Sequence, residues 1–380
     1  MNLVAAIAAV ALLAVPVLAQ HKQYTIDAGT PEGRILQMAG QEEDAAQKTA
    51  LLEDFVARYP RHEGFAFACS QLVPLYVKAG QLDKALALAD KGLAADPDDL
   101  DTALVALKAL EANKDPDNVK KWSAITSGIA RKTINGSQPA DAGADEWKQK
   151  VDYAKQVDTY CEYALYAAAL ASQNPAKTGE LVEALEQRNP QSQYLAQAYV
   201  PYFRSLIQAK ETGKAVAIAE KLMAANQADD EMTLTAADYH FGKQHPDKAI
   251  AAAARTIEIL NTKAAPAGVD AAQWEKAKNT RLGAARWYEG MSYANLNQFT
   301  QADSALRAAL PLIEGNDYLK GGALFTLGLV NFKLGDTAKP DSKRILEAYK
   351  FSQQAAAVKS PWQPLAAKNV AAIKGKYKMQ

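Results

Sequence analysis

From about Leu36 onward, apolar side chains, mostly Ala and Leu, return at the three-to-four-residue spacing of an amphipathic helix. Short clusters of Gly, Pro, Asn and Asp break the pattern, and no stretch convincingly alternates apolar with polar as a half-buried strand would. The pattern predicts an all-α chain. One segment stands apart. Leu3 to Val15 is an unbroken apolar run of 13 residues with no polar face, followed by Pro16-Val17-Leu18-Ala19-Gln20.

The helical segments recur. Val73, Tyr76, Gly80, Leu82, Ala85, Ala89 and Gly92 align with Gly290, Tyr293, Asn297, Phe299, Ala302, Leu306 and Ala309, every pair separated by the same 217 positions. The start of the unit returns 38 residues further on, where Gly328, Asn331 and Gly335 follow Gly290, Tyr293 and Asn297. Small residues at fixed places suit helices that cross closely. Gly290 and Gly328 would serve first helices in this way, and Ala85, Ala215, Ala249 and Ala302 second helices. Gly80 and Gly335 are expected to take the left-handed conformation that ends a first helix, and Pro60, Pro97 and Pro190 to stop second helices.

This arrangement resembles the tetratricopeptide repeat, a unit of about 34 residues in which two antiparallel helices are paired. The resemblance implies a partial unit at 32–65 and further units at 66–99, 100–133, 159–192, 196–229, 230–263, 283–316 and 321–360, with a capping helix from Trp362 to Tyr377. The expected fold is therefore a tetratricopeptide-like α-solenoid of about seven to eight helix hairpins. Two loops interrupt it. Ile134 to Ala144 (INGSQPADAGA) precedes an unusually long helix from about Asp145 to Ser172, and Ala264 to Val269 breaks the pattern again. The expected division is a leader at 1–19, sub-arrays at 20–133, 145–263 and 264–360 around the loop 134–144, and a basic terminal cap at 361–380.

Composition narrows the partners. Lys+Arg and Asp+Glu are both 43, and a chain of zero formal charge has no general attraction for phosphate backbones, which argues against nucleic acid. Two cysteines, Cys69 and Cys161, fall in non-adjacent repeats and read as small core residues. His240 and His245 lie near one another, but His245 precedes Pro246 in a turn, so the pair reads as turn and surface histidines rather than metal ligands. Carboxylate clusters such as Glu42-Glu43-Asp44 and Asp96-Pro97-Asp98-Asp99 sit at helix starts, where they cap free N–H groups. No cofactor motif is present, and the reading is of a non-enzymatic protein that needs no cofactor or metal.

In tetratricopeptide proteins the first helices line a concave groove for a peptide segment. The resemblance places Phe67, Tyr160, Tyr163, Arg204, Phe241, Trp287, Asn295, Phe325 and Phe332 on that groove, although the same side chains also suit packing between repeats. The Lys and Asn pattern of the family's carboxylate clamp is absent, which argues against an acidic C-terminal tail as ligand. A protein or peptide partner is expected; the alternative is an α-helical hydrolase or carbohydrate-binding protein. The apolar run is short for a membrane span, and Val17 and Ala19 place small residues where a signal peptidase requires them. Cleavage between Ala19 and Gln20 is expected, with export to the periplasm or the exterior and association with the cell envelope. Retention of the uncleaved segment as a tether is the alternative.

Overall fold

The computed structural model describes residues 27–378, which contain helices and turns and no strand. The leader and its junction at Ala19 and Gln20 lie outside the described residues. Packing divides the chain into two units, one ending at Pro201 and the other beginning at Tyr202. In the first unit, hairpins are formed by α1 (Pro31–Gln41) with α2 (Ala45–Arg58), α3 (Phe65–Lys78) with α4 (Leu82–Ala95), α5 (Leu100–Ala112) with α6 (Pro116–Ile134), and α7 (Ala144–Ala171) with α8 (Pro175–Arg188). The division falls within α9 (Leu195–Gln208), which α10 (Thr212–Ala224) follows. The second unit continues with α11 (Asp230–Gly242) and α12 (Pro246–Thr262), α13 (Ala271–Asn295) and α14 (Phe299–Ala309), and α15 (Asp317–Gly335) and α16 (Ser342–Ala357). The final helix, α17 (Gln363–Tyr377), has no partner after it among the described residues and buries Ala366 and Ile373 against α15 and α16. Both loops that interrupt the sequence pattern, 135–143 and 263–270, lie inside a unit.

Local chemistry fixes these limits. Asp44, Asp99, Asp115, Asn174, Asp229, Asp270, Asn316 and Asp341 each accept a backbone N–H from the first turn of the helix they precede. Proline occupies the first helical position of α1, α6, α8 and α12, where a missing N–H costs nothing. The second helices α2, α4 and α8 stop two residues before Pro60, Pro97 and Pro190. Five turns between paired helices share one geometry. Gly80, Lys114, Lys210, Gln244 and Asn297 have φ of 71°, 56°, 61°, 59° and 58°. In each case the next N–H reaches the carbonyl five residues back, at 2.9, 3.2, 2.9, 2.8 and 2.9 Å from Gln81 to Tyr76, Asp115 to Leu110, Glu211 to Leu206, His245 to His240 and Gln298 to Tyr293. Gly335 departs from expectation. It stays helical at the end of α15, and its lack of a side chain serves packing instead, since a Cβ there would lie 2.8 Å from that of Arg344.

Paired helices pack on each other, and first helices also pack on the first helix of the next hairpin, as α3 does on α5, α5 on α7, α11 on α13 and α13 on α15. The crossings use the expected small residues. Ala85, Ala215, Ala249 and Ala302 are completely buried, Gly290 lies against Leu306, and Gly328 lies against Ser352. Cys69 and Cys161 are buried free thiols, both pushed up to about 12 chiefly by desolvation. His240 also departs from expectation: it is a core residue, 4% exposed, because it occupies on α11 the position that Tyr76 and Leu110 hold on α3 and α5.

Candidate functional site

Two aromatic groups gather several of the residues that the sequence assigns to a groove, one in each unit. In the first unit, α7 carries Tyr160, Tyr163 and Tyr166 at three-residue intervals, which lines them along one face. The link between α8 and α9 adds Tyr194. Ring centroids lie 5.9 Å apart for Tyr160 and Tyr163, 6.4 Å for Tyr163 and Tyr166, 5.8 Å for Tyr163 and Tyr194, and 5.5 Å for the stacked rings of Tyr166 and Tyr194. All four are half-buried.

Polar neighbours hold the rings in place. The Tyr160 hydroxyl donates to Glu111 on α5, and the Tyr166 hydroxyl donates to Oε1 of Gln197 at 3.0 Å. Further along the same pair of helices, Tyr153 donates to Asp101 at 2.6 Å. The Lys108 ammonium lies 5.4 Å from the centre of the Tyr160 ring, within cation–π range. Burial, followed by the hydrogen bond to Glu111, raises the Tyr160 hydroxyl above the usual phenol range, and burial raises that of Tyr163. Both phenols are therefore protonated donors at neutral pH.

In the second unit, Phe241 on α11 packs on Trp287 and Tyr288 of α13, with centroids at 5.2 and 5.6 Å. Trp287 was expected to face a partner, and the structure places it in the interior. It is 1% exposed, donates its indole N–H to the Leu319 carbonyl at 2.9 Å, and packs with Leu306, Ala309, Ile313 and Leu327. Its burial comes from α15 and from Trp362 at the start of α17, which close over it. The exposed aromatic of this group is Tyr318, whose ring lies 4.7 Å from Trp362.

The structure does not bring the remaining expected residues to these groups. Phe67 is half-buried on α3, and Arg204 is exposed on α9 and paired with Glu231 at 3.0 Å. Asn295 is exposed at the end of α13, Phe325 packs beside Leu324 and Ala355, and Phe332 packs on Tyr377 under Lys376. Tyr166 was legible as the next step of the Tyr160 and Tyr163 spacing. Tyr194, Gln197 and Lys108 carried no signal, since they arrive from other elements. Among the described residues no group of His, Cys, Asp and Glu is arranged to hold a metal ion, and no helix is long and apolar enough to cross a membrane.

The described residues thus form an all-α helical-repeat array, with paired helices, small residues at their crossings and first helix packed on first helix. No protein-family model and no curated protein matches its sequence. Among solved structures it is similar to the TPR domain of P58(IPK), at 10% identity over 92% of this chain and 99% of that one, with a TM-score of 0.25. It is also similar to yeast Tom70, at 11% identity, 93% and 90% coverage and a TM-score of 0.24. A third is the APC/C hetero-tetramer Cut9-Hcn1, at 12%, 93% and 85% with a TM-score of 0.22. These likenesses concern the arrangement of helices alone.

Proposed function

We propose that the protein is a non-enzymatic, exported scaffold that holds a peptide segment of a protein partner against Tyr160, Tyr163, Tyr166 and Tyr194. The observation that carries this reading is the cluster itself: three half-buried tyrosines in a row on α7 and a fourth, Tyr194, brought against them by the link between α8 and α9. Tyrosine offers a large contact area for few rotatable bonds, and rings already fixed by Glu111 and Gln197 lose little entropy on binding. The carboxylates beside the cluster support binding over hydrolysis. Glu111 and Asp101 are tied to tyrosine hydroxyls instead of facing each other across a cleft. Export rests on the apolar run at Leu3 to Val15 with Val17 and Ala19 behind it, and cell-envelope association follows from that.

Selection of a displayed random-peptide library on the chain beginning at Gln20 tests the reading. Enriched peptides should lose binding to a Tyr160→Ala, Tyr163→Ala double variant that retains its helical circular dichroism. An unenriched library, or peptides that bind the variant equally, would refute it. Intact mass of the protein from its native host should correspond to a chain starting at Gln20; a product retaining Met1 in the cytosol refutes export.

A further inference from the structure

The C-terminal part of the second unit concentrates positive charge. Lys333 to Lys378 holds ten Lys and Arg residues against three Asp and Glu, in a chain whose formal charge is zero. Folding gathers most of them at one end of the bundle formed by α15, α16 and α17. Ile345 and Ala348 near the start of α16 share a core with Ile373 near the end of α17, and Phe332 near the end of α15 packs on Tyr377. The last turns of α15 and α17, the turn 336–341 and the first turn of α16 therefore lie together. They carry Lys333, Lys339, Lys343, Lys374, Lys376 and Lys378, all exposed.

The carboxylates at this end are already used. Asp336 holds Lys376 at 2.8 Å and accepts the Tyr377 hydroxyl, and Asp341 caps α16. Lys333, Lys339, Lys343, Lys374 and Lys378 have no ion-pair partner among the described residues. Helix polarity accounts for Lys333 and Lys374, which sit in last turns where the dipole favours a cation. It does not account for Lys339 in the turn, nor for Lys343 in the first turn of α16, where the same dipole opposes a cation. Three residues beyond Lys343, Leu346 is 45% exposed, and Lys350 follows on the same face.

Five free ammonium groups on four backbone segments, with an aliphatic side chain set beside them, match an extended anionic surface. Lysine carries a compact charge on a flexible stem and meets phosphate without a fixed geometry, whereas a defined pattern of carboxylates favours the rigid fork of arginine. The one arginine at this end, Arg344, is turned inward to Asp303 and Asn331 at 3.1 and 2.6 Å. Lipid headgroups can rearrange to meet every lysine, while Leu346 enters the boundary between headgroups and acyl chains.

We propose that this end of the second unit docks on a bilayer surface rich in anionic phospholipid, with Lys333, Lys339, Lys343, Lys374 and Lys378 facing the headgroups. The proposal uses none of the tyrosines on α7, so it stands or falls apart from the peptide-binding reading.

Flotation of the chain beginning at Gln20 with vesicles tests it, using phosphatidylcholine alone and an equal mixture of phosphatidylcholine with phosphatidylglycerol. Binding is expected to the anionic vesicles only. It should be lost as salt is raised from about 0.1 M to about 1 M, because the screening length falls from about 10 Å to about 3 Å. A lysine close to an anionic bilayer contributes about fivefold to affinity, so Lys339→Gln, Lys343→Gln and Lys374→Gln together should weaken binding at least tenfold. These side chains hold nothing within the chain, and the thermal midpoint should be kept. Should the triple variant unfold, Lys343→Gln alone, which removes a cation from a helix start, must still weaken binding about fivefold. A control with Lys91→Gln, Lys148→Gln and Lys150→Gln, exposed lysines of the first unit, removes equal charge and should bind as the wild type does. No binding to anionic vesicles, equal binding to neutral ones, or equal affinities in the two triple variants overturns the proposal. Capture of a polyglutamate peptide with anionic vesicles left unbound assigns the surface to an acidic protein and overturns it as well.

Discussion

Alanine in place of Gly290 adds a single methyl group where α13 crosses α14. Built on the backbone, that carbon lies 2.6 Å from Cγ and 2.8 Å from Cδ2 of Leu306, and 3.1 Å from the Leu306 backbone nitrogen. Carbon atoms pack best at about 3.5–4.0 Å, so the methyl intrudes by about 1 Å. Leu306 is wholly buried against Trp287, Ala309 and Leu327, and the close backbone nitrogen means that rotating its side chain does not relieve the crowding. Overpacking of this kind costs about 1–3 kcal/mol. Alanine returns about 0.5–1 kcal/mol through its better helix propensity, leaving a net loss of about 1–2 kcal/mol. At Gly328 the nearest atom is the Ser352 hydroxyl at 2.5 Å, a short group free to turn, so Gly328→Ala should cost less. Gly242 on α11 has nothing within 4 Å of the added carbon, and Gly242→Ala should be neutral or stabilising, by up to about 1 kcal/mol. Urea unfolding at equilibrium measures all three. With a slope of about 2 kcal/mol/M, Gly290→Ala should lower the midpoint by about 0.5–1 M. A Gly290→Ala midpoint at or above that of the wild type, or an equal loss in Gly242→Ala, would refute the assigned crossing.

Lys114→Gly, Lys210→Gly and Gln244→Gly should each stabilise by about 1 kcal/mol in thermal melts, because these side chains sit at positive φ, whereas Gly80→Ala should destabilise by about as much. His240 is held below its ordinary value, first by burial, with Glu220 opposing and Lys248 and His245 adding to the shift. The unfolded chain therefore binds the proton first. Its contribution to stability is complete above about pH 6.5 and is lost as pH falls below that value. His240→Leu should flatten the stability profile below about pH 6.5, as read by denaturant midpoints. Burial, followed by the hydrogen bond to Glu53, pushes the Tyr76 hydroxyl up to about 12. Its contribution is present below the ordinary phenol value of about 10 and lost as pH rises beyond it, so Tyr76→Phe should remove part of the alkaline loss of stability in an ultraviolet titration.

Much of the repeat frame was legible because close helix crossings admit few residue types. Val73 and Ala85, with Gly290 and Ala302 217 positions later, mark places where volume is constrained locally, so spacing alone reveals them. Turn geometry was less legible. The left-handed position at Gly80 announces itself, but Lys114, Lys210 and Gln244 adopt the same φ because two backbone hydrogen bonds outweigh the cost of a side chain there. Gly335 deceived for the opposite reason, since its small size serves α16 and not the turn. At the candidate site, helical spacing identified Tyr160 and Tyr163 as neighbours. It did not place Trp287, whose surroundings depend on Leu319 and Trp362, more than 30 residues further along the chain. Nor did it supply Tyr194, which reaches the cluster from a link between helices.

The tyrosine hydroxyls that join one first helix to the next have a mechanical meaning. Tyr153 and Tyr160 tie α7 to α5, and Tyr288 ties α13 to α11 through Asp238. Because hairpins in such an array pack mainly on their neighbours, a pull on the chain ends meets resistance one hairpin at a time. Hydrogen bonds break over a few tenths of a nanometre, so these ties are short-range and brittle, unlike the apolar packing around them, which yields gradually. Pulled apart within a unit, α5 and α7, or α11 and α13, would hold through the first few tenths of a nanometre and then part abruptly, where apolar packing alone would slide.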